Sequence, residues 1–138
     1  MDIINIIFVS RFLKFSLIGL ISTIINYLIF FILFIFFNIF YVFSSIVGYV
    51  IGLILGYYFN KKWTFSNKIL AGKSYIVKYT FCQILGLISQ QIVLISLVEI
   101  LLIDPIFSNI ISIVFAAIVS FLLIEIFVFE ENVNKYLN

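Results

Sequence analysis

The sequence predicts an all-α integral membrane protein, with four transmembrane helices arranged as two parallel helical-hairpin repeats. Three observations carry this. The first is composition. Of 138 residues, 65% are hydrophobic and only 10% are charged, and mean hydropathy is +1.33. A soluble domain is about half apolar and about a quarter charged, and a chain this short has too small an interior to hide the excess. The second is that the apolar residues fall in four runs, and about 20 residues suffice to cross the hydrocarbon. The third is charge placement: Lys and Arg lie on one side of these runs only. The pattern shows no barrel-like alternation, and helices satisfy their own backbone hydrogen bonds in lipid. The whole chain, 1–138, reads as one transmembrane domain.

Residues 1–14 mix Asp2, Asn5, Arg11 and Lys14 with apolar residues at helical spacing. They read as a start lying at the interface. No small-residue cleavage site follows a short apolar run, so the segment does not read as a cleaved signal. The first span, 15–37, has no charge, and Gly19, Ser22, Thr23 and Asn26 share one face of it. Residues 38–41 form a tight turn. The second span, 42–59, carries Ser44, Gly48, Gly52 and Gly56 as a small-residue stripe that lets another backbone approach closely. A hydrophilic loop over 60–77 holds Lys61, Lys62, Lys68 and Lys73. The third span, 78–103, is more polar, with Gln83, Ser89, Gln90, Gln91, Ser96 and Glu99 inside it. Asp104-Pro105 is a turn signal. The fourth span, 106–129, has Glu125 near its end and leads into a short polar tail.

With four spans, Arg11, Lys14, the loop lysines and Lys135 share one side, and the positive-inside rule predicts that both termini are cytoplasmic. The stretch from Tyr57 to Phe65, Tyr-Tyr-Phe-Asn-Lys-Lys-Trp-Thr-Phe, marks where the second helix leaves the bilayer. Its tyrosines and Trp63 suit the headgroup level, and its lysines suit the inner surface.

The two halves repeat. Ser44, Gly48, Gly52 and Gly56 match Ser108, Ser112, Ala116 and Ser120 at one constant offset. The same offset places Trp63-Thr64-Phe65 on Phe127-Val128-Phe129. A second match, Gly19-Leu20-Ile21-Ser22 with Gly86-Leu87-Ile88-Ser89, uses a slightly longer offset. Two hairpins in the same orientation follow, as in transporters built from parallel repeats.

Composition also excludes chemistry. There is no histidine, and Cys82 is the lone cysteine, so cysteine-rich zinc sites and an internal disulfide are out. No paired carboxylates share a deep face. The reading is therefore of a protein that is not an enzyme and needs no cofactor or metal, and nothing suggests nucleic acid as a partner.

The chain resembles the GtrA-like family. The resemblance rests on Arg11-Phe12-Leu13-Lys14-Phe15 leading into Gly19 to Thr23, on the glycine-striped second span ending in Phe59-Asn60-Lys61-Lys62-Trp63-Thr64-Phe65, and on the closing Phe127-Val128-Phe129. It implies a small four-span protein of cell-surface polysaccharide synthesis that moves a polyprenyl-phosphate-linked sugar across the cell membrane. Two departures stand out. Lysines occupy positions where the family often has arginine, a bidentate phosphate binder. The second repeat has Ile124-Glu125-Ile126 where a basic residue would complete a symmetric clamp.

Such a path needs a cationic entrance and polar groups facing the bundle interior. Arg11, Lys14, Lys61 and Lys62 are the candidates for the phosphate entrance, and Asn26, Asn60, Trp63, Gln83, Gln90 and Glu99 for the sugar or lipid path. Gly48, Gly52, Gly56, Ser112, Ala116 and Ser120 are read as helix packing. The lysines also suffice as topology signals, and the amides as interhelical hydrogen-bond glue. Membrane lipid, a membrane glycosyltransferase and a second copy of the chain are the further partners this reading admits. The alternatives are a subunit that scaffolds a glycosyltransferase and a small proton-coupled multidrug exporter. The exporter would need an ionisable group at bilayer depth.

Overall fold

The computed structural model describes residues 3–59, 62–63, 73–124 and 126–127. Its helices are α1 (Ile3–Phe31), α2 (Tyr41–Phe59), α3 (Lys73–Ile95) and α4 (Pro105–Ile124). Four segments among the described residues are long and apolar enough to span a membrane: Ser16–Phe36, Tyr41–Phe59, Ile76–Ile100 and Pro105–Ile124. The all-α, four-span expectation holds.

Several boundaries move. The expected interfacial start is continuous with the first span, because no Gly or Pro lies between Ile3 and Ile18, where the two segments join. At ~1.5 Å per residue, a helix that long outreaches ~30 Å of hydrocarbon, so its first turns project beyond it. Tyr41, expected in the turn, begins α2. Helix α3 starts at Lys73 rather than 78, which takes Ile76 out of the expected loop. In the Asp104-Pro105 signal, Pro105 supplies the first helical residue and the Asp104 carboxylate accepts from the Ile106 amide at 2.8 Å. This is a side-chain N-cap with proline at its favoured position. Asn60, Lys61, Glu125, the Thr64-Phe65 and Val128-Phe129 pairs and the polar tail lie outside the described residues.

Contacts fix the helix directions. Gly48 meets Asn26 while Gly56 meets Ser22, so α1 and α2 run antiparallel. Tyr41 bonds Glu99, Ser45 bonds Gln91 and Tyr49 bonds Gln83, so α2 and α3 do too. Gln90 pairs with Asn109 and Gly86 with Ser120, which makes α3 and α4 antiparallel. The chain therefore has a termini end and a turn end. Helices α1 with α2, and α3 with α4, form the two broad interfaces, and the hairpins meet more thinly along α2/α3 and α1/α4.

The repeat extends into backbone detail. Both α1 and α3 finish in a π-helical turn, Ile32–Phe36 and Ser96–Ile100. The Ile39 amide then reaches the Leu33 carbonyl at 3.1 Å, and the Ile103 amide reaches Leu97 at 3.0 Å. Asn38 and Leu102 both turn left-handed, with φ of 51° and 54°. Ser44 and Ser108 each donate to the turn carbonyl before their helix, Ile39 and Ile103. Every one of these pairs keeps the offset that carries Ser44 onto Ser108. The longer offset inferred for Gly19 to Ser22 is therefore wrong. No bulge interrupts α1 or α3 before its π turn, so the common register puts Gly86 opposite Ser22, and Gln90 opposite Asn26.

All eight positions of the two stripes are buried. A Cβ on Gly48 would come within 2.5 Å of the Asn26 carbonyl, and one on Gly52 within 2.8 Å of the Ser22 carbonyl. In the first hairpin Gly56 receives the Ser22 hydroxyl. In the second, Gly86 receives the Ser120 hydroxyl. The hole has moved from the second helix to the first, and the hydroxyl has moved the other way. At the turn end Phe30, Tyr41 and Leu94 form a buried apolar cluster, backed by Tyr27, Phe34, Val42 and Val98.

Gly48→Val should lower stability by about 1–3 kcal/mol through overpacking, read by thermal unfolding in detergent. Gly19→Ala should leave it unchanged or slightly raised, since a Cβ there meets nothing within 4 Å. Leu102 is a branched residue at positive φ and 84% exposed. Leu102→Asn should therefore raise stability by about 1 kcal/mol in the same assay.

Candidate functional site

The termini half of the bundle is hollow. A cavity of about 360 Å³ lies among the four helices, walled by Ser16, Gly19, Ser22, Thr23 and Asn26 of α1, Tyr49, Gly52 and Gly56 of α2, Tyr79 and Gln83 of α3, and Ile113, Ala117, Ser120, Phe121 and Ile124 of α4, with Leu20 and Leu53 between. This size falls within the usual range for small-molecule sites, roughly 300–1,000 Å³. From Ser16 to Asn26 along α1 is ~15 Å at ~1.5 Å per residue, about half the hydrocarbon depth. The cavity thus runs from the termini end to the middle of the membrane.

Its chemistry is polar without charge among the described residues. The Ser16, Ser22, Thr23 and Ser120 hydroxyls, Asn26, Gln83, Tyr49 and Tyr79 interrupt walls that are otherwise apolar. Asn26 is 5% exposed, and its Oδ1 has no hydrogen-bond partner. An unsatisfied buried acceptor costs about 1–3 kcal/mol. Tyr49 anchors the opposite wall. Its hydroxyl lies 2.9 Å from the Gln83 carbonyl and 3.0 Å from Gln83 Oε1, and the Ser120 hydroxyl stands 3.5 Å away.

Above the cavity, toward the turn end, three polar links sit before or among the apolar cluster. Gln90 Nε2 donates to Asn109 Oδ1 at 3.2 Å, leaving Gln90 Oε1 and Asn109 Nδ2 unpartnered in full burial. The Ser45 hydroxyl reaches Gln91 Oε1 at 3.0 Å. The Tyr41 hydroxyl donates to Glu99 at 2.6 Å. Together with Phe30 and Leu94, these groups close the turn half.

The termini end carries the cations. Lys14 Nζ stands 5.8 Å from the centre of the Trp63 ring, a cation–π contact worth about 0.5–1 kcal/mol at an exposed site. It joins α1, just before the first span, to the motif after α2. Lys62 and Trp63 are both exposed, and Lys14 is half-buried. Arg11 is placed in α1 by its backbone alone. Lys61 and Asn60 lie outside the described residues.

Of the residues expected on the path, the fold brings Asn26 and Gln83 to the cavity and Trp63 beside Lys14 at its cationic end. Gln90 lies beyond the cavity, against Asn109. Glu99 is exposed at the turn end, bonded to Tyr41. The expected packing residues Gly52, Gly56 and Ser120 also line the cavity, so they shape it as well as pack. Sequence reasoning missed Tyr49, Tyr41 and Asn109. One signal was available for Tyr49: a tyrosine in the middle of a span is too deep for the interfacial belt and needs an internal partner.

Fold and site together define a small multi-pass membrane protein: two repeated helical hairpins around a polar vestibule that is uncharged among the described residues, with cations toward its termini end. The family model described as "GtrA/DPMS, transmembrane domain" matches residues 14–129, and the chain belongs to that family. No match was found among curated proteins or among solved structures. Membership supports a membrane protein of polysaccharide synthesis, in a family that is generally non-catalytic.

Tyr49→Phe should lower thermal stability in detergent by about 1 kcal/mol, the usual worth of an interhelical hydrogen bond in a membrane protein. Gln83→Leu on top of it should add little, because the two groups act as a pair.

Proposed function

We propose that this protein translocates a polyprenyl-phosphate-linked sugar across the cell membrane, without catalysing a reaction on it. The observation that carries the reading is the vestibule. Among the described residues its walls are polar without charge, it reaches about mid-membrane, and its shallow end lies toward the helix ends that carry Lys14 and Lys62. A sugar presents hydroxyls and needs hydrogen-bonding walls in a place where hydrocarbon offers none. A phosphate needs fixed positive charge at the surface.

In this reading both termini face the cytoplasm, in keeping with the placement of Lys and Arg. The phosphate is received by Lys14 and Lys62, with Arg11 and Lys61 beside them in sequence. Trp63 stands beside Lys14 at the entry, with Asn60 close to it in sequence. The sugar enters the vestibule and exchanges water for Asn26, Gln83 and the Ser22 and Thr23 hydroxyls. The unpartnered Asn26 Oδ1 supplies an acceptor for a sugar hydroxyl at the deep end. Transfer to the far leaflet requires the turn half to open, and the half-satisfied Gln90–Asn109 pair is the next polar layer on that route. Proton coupling has little support here: Glu99 sits at the turn end, held by Tyr41, rather than in the vestibule.

The test is a flip assay in proteoliposomes with a short-chain polyprenyl-phosphoryl sugar, following the outer-leaflet fraction over time. Wild type should equilibrate the probe faster than empty liposomes. Lys14→Ala, Lys61→Ala and Lys62→Ala should each slow it about tenfold below saturation, matching a charge-assisted contact of roughly 1.5 kcal/mol. Gly19→Leu, which fills the vestibule from an open position, should stop it at normal protein level. No acceleration by folded wild-type protein with several sugars would sink the translocase reading and leave a scaffold for a glycosyltransferase.

A further inference from the structure

A polar head inside the vestibule is still bonded to a hydrocarbon chain. That chain cannot follow the head into a polar cavity without losing its own favourable surroundings, at about 0.8 kcal/mol per CH₂ group. The bundle must therefore open sideways, and the exposure of the cavity walls says where.

Four cavity-lining residues are exposed: Ser16, Gly19 and Leu20 on α1, and Ala117 on α4. Every cavity-lining residue of α2 and α3 is buried or half-buried. The opening therefore lies along the α1/α4 seam. The opposite seam is shut. Hydrogen bonds cross α2/α3 at three levels, Tyr41 to Glu99, Ser45 to Gln91 and Tyr49 to Gln83. Among the described residues no such ladder crosses α1/α4. A second concavity, lined by Ile46, Leu87, Ile92 and Ile95, does lie on the α2/α3 side. It shares no lining residue with the vestibule, and Gln91, bonded to Ser45, is part of its own wall.

The side chains at the α1/α4 opening suit a hydrocarbon. Leu20 offers an apolar edge, and Gly19 and Ala117 leave room for a branched chain to lie between the helices. We propose that the α1/α4 seam is a lateral portal that seats the isoprenoid chain of the substrate while its head occupies the vestibule. This rests on the translocase reading above and adds the position of the tail.

The test uses a polyprenyl monophosphate with a diazirine on the isoprene unit nearest the phosphate, photolysed in proteoliposomes with the full chain. Labelled peptides are then mapped, and a diazirine-bearing phosphatidylcholine serves as the bilayer control. The expected result is several-fold more label on α1 and α4, around Leu20 and Ala117, than on α2 and α3. Unlabelled polyprenyl monophosphate should compete for it, and Ala117→Phe should reduce it. Label centred on Ile46 and Ile92, label spread evenly around the bundle as with the control lipid, or no competed label would each overturn the portal. The flip assay on the same preparation separates the two claims. Accelerated flipping with any of those patterns removes the portal and keeps translocation. Competed label at the seam without flipping keeps the chain site and removes translocation.

Discussion

Helices in lipid gain nothing from hiding apolar surface from one another, because the tails around them are equally apolar. What holds this bundle together is the close approach of backbones along rows of small residues. Gly48 and Gly52 press against backbone carbonyls of α1 so closely that a methyl group would not fit. Ser108, Ser112, Ala116 and Ser120 are buried at the matching positions of α4, where the Ser120 hydroxyl packs against Gly86. Each hairpin is thus a tight unit, and the looser contact between hairpins is where a cavity can exist.

That cavity is confined to one half of the membrane by side-chain volume. At the turn end Phe30, Tyr41 and Leu94 fill the space between the hairpins. Toward the termini the same faces carry Gly19, Ser22, Gly56 and Ser120, which leave it empty. The repeat is nearly perfect in backbone, and its departures from symmetry are in side chains. Asn26 and Gln90 occupy equivalent positions, yet one borders the vestibule and the other is sealed against Asn109. Substituted side chains on a duplicated frame make one cavity where strict symmetry would have made matching surfaces on both seams.

The four spans, the hairpin pairing and the stripe were legible in the sequence, because hydropathy and small-residue spacing are local signals. The register of α1 with α3 was not. Gly19 to Ser22 resembles Gly86 to Ser89 letter by letter, while the true equivalence pairs Ser22 with Gly86 and is visible only through the π turns and the left-handed residues Asn38 and Leu102. Of the candidate site, Asn26 and Gln83 were readable as polar groups deep in spans. Their division from Gln90 and Glu99 depends on which face and which half each occupies, and a list of polar residues carries neither. Tyr49 escaped because an aromatic residue in an aromatic-rich chain raises no flag until its hydroxyl is found at Gln83.

The traded positions of Ser22 with Gly56, and of Gly86 with Ser120, bear on how the chain assembles. Were α1 to dock on α4 as it docks on α2, the Ser22 and Ser120 hydroxyls would compete for one space. Were α3 to take α2, Gly86 and Gly56 would face each other across a void. Each helix therefore recognises the neighbour made next to it and rejects its look-alike from the other half. A duplicated sequence would otherwise invite cross-matching while it emerges into the bilayer. With this exchange, the order of synthesis and the order of pairing are the same.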